Sequence, residues 1–145
     1  MTGTNINGLL HTTYAVLNHA LIPAKRGTIL NISSTTALEA PPFPGEAIYH
    51  ASKQFQEGFS NSLRNELVGT DIRVLVLRPG VVDTHFHRQR VGYDDSMNEE
   101  FMKGFTPLQA EEVARAAVYM LEQPEHISIK ALDIVPSGKF DFCPE

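Results

Sequence analysis

Residues 72–77, IRVLVL, form a nearly unbroken apolar run that ends just before Pro79-Gly80. A strand with one wet face alternates apolar and polar residues. A continuous run of this length needs cover on both faces, which marks a strand inside a parallel sheet walled by helices. The rest of the chain offers the walls. Between 4 and 21, apolar residues recur at Ile6, Leu9, Leu10, Tyr14, Leu17 and Leu21, close to a 3.6-residue period. That spacing predicts a helix ending before Pro23 and the Arg26-Gly27 turn. Residues 28–32 (TILNI) follow a glycine, mix apolar and β-branched side chains, and read as a strand. Residues 35–47 hold three prolines and a glycine and read as loop. A second helix is expected over 48–67, with Phe55, Phe59, Leu63 and Leu67 as its buried stripe. Residues 83–105 read as irregular. A third helix is predicted over 107–122, with Thr106 as cap, Pro107 at its first position and Gln109 three residues after the cap. A start one or two residues later fits equally. A last strand is expected over 127–135. Helix and strand in strict alternation predict an α/β fold, a parallel sheet flanked by helices. Ligands in such sheets bind beyond the carboxyl ends of the strands, which places Ser33, Ser34, Pro79, Gly80 and Pro136 at the ligand-facing edge.

Charge and composition narrow the partners. A formal net charge of -5 gives no general attraction to nucleic acid or an anionic membrane. The short basic stretches at 25–26 and 88–90 read as solvated loops. The lone Cys143 excludes an internal disulfide and fits a reducing compartment. No stretch approaches the roughly 18 apolar residues of a membrane span. The first residues also lack the basic segment and greasy core of a signal peptide. A cytoplasmic protein with no nucleic-acid or membrane partner is the expectation.

Tyr49 and Lys53, spaced i, i+4 on the second predicted helix, share one face. A free phenol ionises only near pH 10. An ammonium about 4 Å away stabilises the phenolate by about 4 kcal/mol at an effective dielectric near 20, so such a pair has the energy to make a usable acid/base. The spacing alone arises by chance on many helices, where it is a surface pair. Its companions are Ser34 at the carboxyl end of the preceding strand, Asn5 opening the first helix, and Pro79-Gly80 closing the next strand, where a glycine lets a ligand approach the backbone. Each taken singly is ordinary cap or turn chemistry.

Together these segments resemble the short-chain dehydrogenase/reductase family. Its pattern runs Asn-x-x-Gly on a helix, Gly-x-Ile-x-Asn-x-Ser-Ser on a strand, Tyr-x-Ala-Ser-Lys, then a Pro-Gly turn with a threonine. Here these read NING at 5–8, GTILNISS at 27–34, YHASK at 49–53 and RPGVVDT at 78–84. The resemblance extends over residues 3–138. Within the family, DTHF, TPLQAEEVA and ISIKALDIVPSGK are similar to a subgroup of NADP-dependent dehydrogenases that oxidise serine, allo-threonine and related 3-hydroxy acids. The resemblance implies a Rossmann-type sheet, with residues 1–145 as the C-terminal catalytic part of one domain. It also implies hydride transfer between NAD(P) and a small secondary alcohol or carbonyl, a 3-hydroxy acid among the candidates, with NADP favoured over NAD by the subgroup. Tyr49 would exchange a proton with the substrate oxygen and border the cofactor. Lys53 would assist Tyr49 and hold the nicotinamide ribose. Ser34 would orient and polarise the substrate carbonyl, and Asn5 would hold a relay water. Pro79, Gly80, Val81 and Val82 would contact the nicotinamide, and Thr84 its carboxamide or phosphate end. Homo-oligomers would form through helices 4–21 and 48–67.

Two departures stand out. Tyr49 follows Ser34 by 15 residues, a couple more than the family pattern, with the excess in the proline-rich loop, where insertions are tolerated. The glycine-rich dinucleotide turn, Gly-x-x-x-Gly-x-Gly, does not occur, and the chain opens inside what the pattern makes its fourth helix. The N-terminal half of the pattern is therefore missing, as in a fragment, a truncated reading frame or a decayed copy. The alternative to an oxidoreductase is thus a non-catalytic fragment that acts as an association module. His85 and His87 alternate like strand ligands but have no third ligand in register, so no metal is expected. No Gly-x-Ser-x-Gly elbow occurs, which argues against a serine hydrolase.

Overall fold

A computed structural model describes residues 1–41, 44–86 and 104–137. The basic stretch at 88–90, His87, Cys143 and most of the 83–105 segment lie outside these. Three strands, β1 (Arg26–Ile32), β2 (Asp71–Pro79) and β3 (Ala131–Ile134), form a parallel sheet in chain order with β2 central. β1 pairs with β2 from Arg26↔Asp71 to Ile32↔Leu77, and β2 with β3 from Val76↔Ala131 to Pro79↔Ile134. The longer helices among the described residues are α1 (3–24), α2 (Ala47–Glu66) and α3 (Ala110–Leu121). The expected α/β architecture is the one that forms.

The apolar run behaves as its composition demands: Val74, Leu75, Val76 and Leu77 are all fully buried. Ile72 and Val74 face one way, against Leu17 of α1 and Leu63 and Leu67 at the end of α2. Leu75 and Leu77 face the other way, against Met120, Val113, Ala116 and Ala117 of α3. Period-two alternation thus sends successive β2 side chains into two separate cores.

Three boundaries differ most from the sequence reading. α1 continues through Pro23 to Ala24. A π turn, Leu17–Leu21, closed by the Ile22 amide on Leu17 O, widens the helix just before the proline and makes room for its ring. The helix stops at Lys25, which is left-handed at φ 55. A side chain two residues on, at Gly27, would meet Leu21 Cδ2 at 2.5 Å. α3 is capped by Gln109 and not by Thr106: Gln109 and Glu112 form a reciprocal capping box. Leu108 is unavailable to the helix because its N–H donates to Val81 O and its carbonyl accepts from the Asp83 amide, in a parallel bridge to Val82. β3 starts at 131, not 127; guanidiniums tie down the segment before it, and Lys130 O accepts from the Val76 amide as well as from Arg64. Arg73 donates to Leu121 O, Gln123 O and Ile127 O, and Arg64 donates to Lys130 O.

α2 shows the largest difference. Its buried face is Tyr49, Ser52, Gln56, Ser60 and Leu63, so half of the expected phenylalanine stripe is displaced. Phe55 is 36% exposed and stacks on Phe59, whose ring in turn meets Tyr14 edge-on. The polar residues take the inner positions because each finds a partner there. Among the described residues β1 pairs on one side only. A groove of about 530 Å³ runs along its other edge, with Gly8, Leu9, Thr12 and Val16 of α1 among its lining residues. No helix among the described residues is long and apolar enough to cross a membrane. The α2 register yields a direct test by urea unfolding. Leu63→Ala is expected to cost about 2–5 kcal/mol and Phe55→Ala less than about 1. Equal losses would contradict the packing described.

Candidate active site

The parallel pairing of β1 and β2 continues one residue past the strand, with the Ser33 amide on Leu77 O at 2.8 Å. Ser34, in extended conformation, then caps a 3₁₀ turn, Thr35–Ala37. Its Oγ accepts from the Thr36 amide at 3.2 Å and from Thr36 Oγ1 at 2.9 Å, and stands 3.4 Å from Pro79 O. Ser33 Oγ is buried and has no hydrogen-bond partner among the described residues. The two neighbouring serines are therefore in different states: one is anchored to the strand-end turn, the other turned into packing.

Tyr49 and Lys53 stand on the first turns of α2. The Lys53 ammonium lies 5.8 Å from the Tyr49 ring centroid. It donates to Ile32 O at 3.0 Å and to Gln56 Oε1 at 3.2 Å, which ties the helix to the carboxyl end of β1. Burial holds the Lys53 ammonium below the ordinary lysine pKa, and Glu57 one turn along offsets part of that. The Glu57 carboxylate is itself bound to Arg78 at 3.1 Å, and Arg78 reaches Asp133 of β3 at 2.7 Å. This charged bridge lies directly behind Pro79-Gly80 and joins α2, β2 and β3.

Asn5 joins the same network from α1. Its Nδ2 donates to Ser52 Oγ at 3.1 Å, and its carbonyl accepts from Gln56 Nε2 at 3.1 Å. A cleft of about 610 Å³ opens between these elements, lined by Met1, Thr4, Asn5, Tyr49, Lys53 and Phe86. The Phe86 ring lies against Tyr49 at 5.6 Å between centroids. The structure thus brings Asn5, Tyr49 and Lys53 together. Ser34, buried under its turn, is not among the lining residues.

The turn after β2 is placed differently from the expectation that glycine admits a ligand. A Cβ on Gly80 would stand 3.1 Å from Val135 Cγ1 and 3.4 Å from Pro136 Cδ, so the missing side chain makes room for the end of β3. The Gly80 amide is taken by Ile134 O. Val82 is different. In a parallel bridge the central residue's own N–H and C=O point away from its partner, so those groups of Val82 face away from Leu108. Val81 is buried, and Thr84 is exposed beyond them. No group of three or more His, Cys, Asp or Glu among the described residues is placed to hold a metal.

The sequence reading missed four residues that bond and position the site residues: Thr36, His50, Ser52 and Gln56. His50 Nδ1 bonds Thr36 O and clamps the 3₁₀ turn to α2. The signal for two of them was present. Ser52, Gln56 and Ser60 repeat every four residues on a helix that must bury a face.

A family model described as short chain dehydrogenase matches residues 1–93. A sulfoacetaldehyde reductase of Chromohalobacter salexigens is 35% identical over 137 residues, covering 94% of this chain and 53% of its own length. An NADP-dependent 3-hydroxy acid dehydrogenase of Escherichia coli (strain K12) is 35% identical over 137 residues, covering 94% and 54%. Among solved structures, the closed form of a serine dehydrogenase complexed with NADP+ superposes with a TM-score of 0.82 at 35% identity, over 92% of this chain and 53% of that one. The chain spans about half the length of the relatives it matches. Motif order, sheet topology and these matches agree, and the chain belongs to the short chain dehydrogenase family.

Proposed function

We propose that this chain is the C-terminal, catalytic part of a Rossmann-fold dehydrogenase domain, which transfers a hydride between NADP(H) or NAD(H) and a short secondary alcohol or its carbonyl. The observation that carries the reading is the convergence of Asn5, Tyr49 and Lys53 on one cleft. Tyr49 passes the proton to or from the substrate oxygen. The Lys53 ammonium has three N–H bonds; two are spent on Ile32 O and Gln56 Oε1, and the third is left for the phenol or a ribose hydroxyl. Asn5, which borders the cleft, holds the relay water. Ser34 orients and polarises the substrate carbonyl from the end of β1.

The residues present fit the nicotinamide-ribose end of the cofactor: one free N–H on Lys53, the outward backbone groups of Val82, and Thr84 beyond. When bound, the nicotinamide gives or takes up the hydride. Preference for NADP, and for a short hydroxy acid as substrate, rests on the relatives. Sulfoacetaldehyde, serine and the 3-hydroxy acids all carry a carboxylate or sulfonate. Homo-oligomerisation through α1 and α2 belongs to the same reading, supported by the exposure of Tyr14, Val16 and Phe55.

Two measurements test it. In an NADPH-oxidation assay with a short oxo acid, Tyr49→Phe should cut turnover at least about 100-fold while cofactor affinity stays nearly unchanged. Ser34→Ala should be far more damaging than Ser33→Ala. Tyr49→Phe activity within about tenfold of the parent would overturn the acid/base role. The second measurement is stability against pH. In the unfolded chain a lysine keeps its proton to about pH 10.4, whereas folded Lys53 releases it earlier. Between those two values unfolding takes up a proton, so rising pH favours the folded state; below the folded value the burial penalty is present in full. Stability relative to Lys53→Met should therefore climb between neutral pH and about pH 10. Parallel profiles for the two proteins would show that Lys53 is not desolvated.

A further inference from the structure

A serine hydroxyl has one proton to give and two lone pairs to fill, and the surroundings of Ser34 fill them unequally. The Thr36 amide can only donate, so its 3.2 Å contact occupies one lone pair of Ser34 Oγ. Pro79 O can only accept, and it gives the Ser34 proton a destination, at the long distance of 3.4 Å. The 2.9 Å contact between the two hydroxyls is then a donation from Thr36 Oγ1 into the second lone pair. Thr36 is held in place from behind, because its carbonyl is the acceptor for Nδ1 of His50, the residue after Tyr49. The turn that carries Ser34 is thereby fastened to the helix that carries Tyr49 and Lys53.

We propose that Thr36 is a positioning residue for the reaction: by donating twice to Ser34 Oγ it saturates that oxygen and commits the Ser34 hydroxyl to donation. A serine with open lone pairs accepts from water as readily as it donates. A serine capped twice has only its proton to offer, and donors feeding its oxygen strengthen that offer. The existing bond to Pro79 O is longer than the usual 2.5–3.0 Å of O–H···O bonds, so an arriving substrate oxygen displaces it at small cost. The inference deepens the reading of Ser34 as the group that polarises the substrate carbonyl, and rests on it.

Thr36→Val keeps the shape of the side chain and removes its hydroxyl, while Thr36→Ser keeps the donor. With NADPH and a short oxo acid, Thr36→Val should lose roughly tenfold in kcat with KM for NADPH unchanged, and Thr36→Ser should restore most of the turnover. Turnover in Thr36→Val equal to or above the parent would mean that Thr36 accepts from Ser34, and would overturn the proposal. A second measurement does not depend on turnover. The Thr36 amide should exchange its proton roughly tenfold faster in Ser34→Ala and be unaffected in Ser33→Ala, followed by NMR. Unchanged exchange in Ser34→Ala overturns the proposal whatever the activity. If the parent turns nothing over and exchange still accelerates, the capping of Ser34 is supported, and the failure falls on the functional assignment alone.

Discussion

Where Ile32 pairs with Leu77, the β1–β2 ladder sets the position of almost everything that matters in this molecule. One further bond, from the Ser33 amide to Leu77 O, holds the chain parallel to β2 for an extra residue, so that Ser34 arrives opposite Pro79 O. The Ile32 carbonyl at the same point accepts from Lys53 and pins the first turns of α2 over the strand end. A slip of one residue would exchange the faces of every β1 side chain and carry Ser34 away from the turn after β2. The slip is resisted by the two-sided burial of β2, since it would also separate Leu17, Leu63 and Leu67 from Ile72 and Val74. Hydrophobic packing on the far side of the sheet thus determines the geometry of a polar site at its edge.

The second constraint is hydrogen-bond accounting on the inner face of α2. Ser52, Gln56 and Ser60 are buried, and a buried polar group without a partner costs about 1–3 kcal/mol. The partners come from two other elements and from α2 itself: Asn5 of α1 bonds Ser52 and Gln56, Asn31 of β1 bonds Ser60, and Lys53 bonds Gln56. The network is complete enough to fix α1, α2 and β1 relative to one another, and the Lys53 ammonium stands at its cleft side. Desolvation lowers the pKa of that ammonium because it sits among these groups rather than in water. The bonds that orient the lysine are the same ones that take it out of solvent.

Much of this was legible in the chain itself. IRVLVL could be placed as a central strand because nothing but cover on both faces explains it, and Tyr49–Lys53 could be placed on one helix face by spacing alone. What could not be read depends on partners distant in sequence. The end of α1 required the π turn before Pro23, and the segment before β3 is held by Arg64 and Arg73 from elsewhere in the chain. The burial of α2 was misread at Phe55 because aromatic rings ordinarily win the inner positions. Here Gln56 takes one through an acceptor 51 residues away, and no local pattern records that. Gly80 was read by its freedom to admit a ligand, whereas the contact that requires it is with Val135 and Pro136.

The site is unevenly enclosed, and this bears on what the fold needs in order to act. Asn5, Ser34 and Lys53 are held by bonds to α2, the strand-end turn, β1 and the β2 turn, so their arrangement does not wait for a ligand. Ile32, by contrast, is about half exposed, and the groove along the outer edge of β1 reaches Lys53 and Gln56. Water in that groove raises the local dielectric beside the ammonium, and it weakens the field Lys53 exerts on Tyr49 relative to a site closed on both sides. Anything that pairs along the β1 edge would therefore change the surroundings of Lys53 without touching Tyr49. In this geometry covering the sheet edge and drying the Lys53 side of the cleft are one physical event.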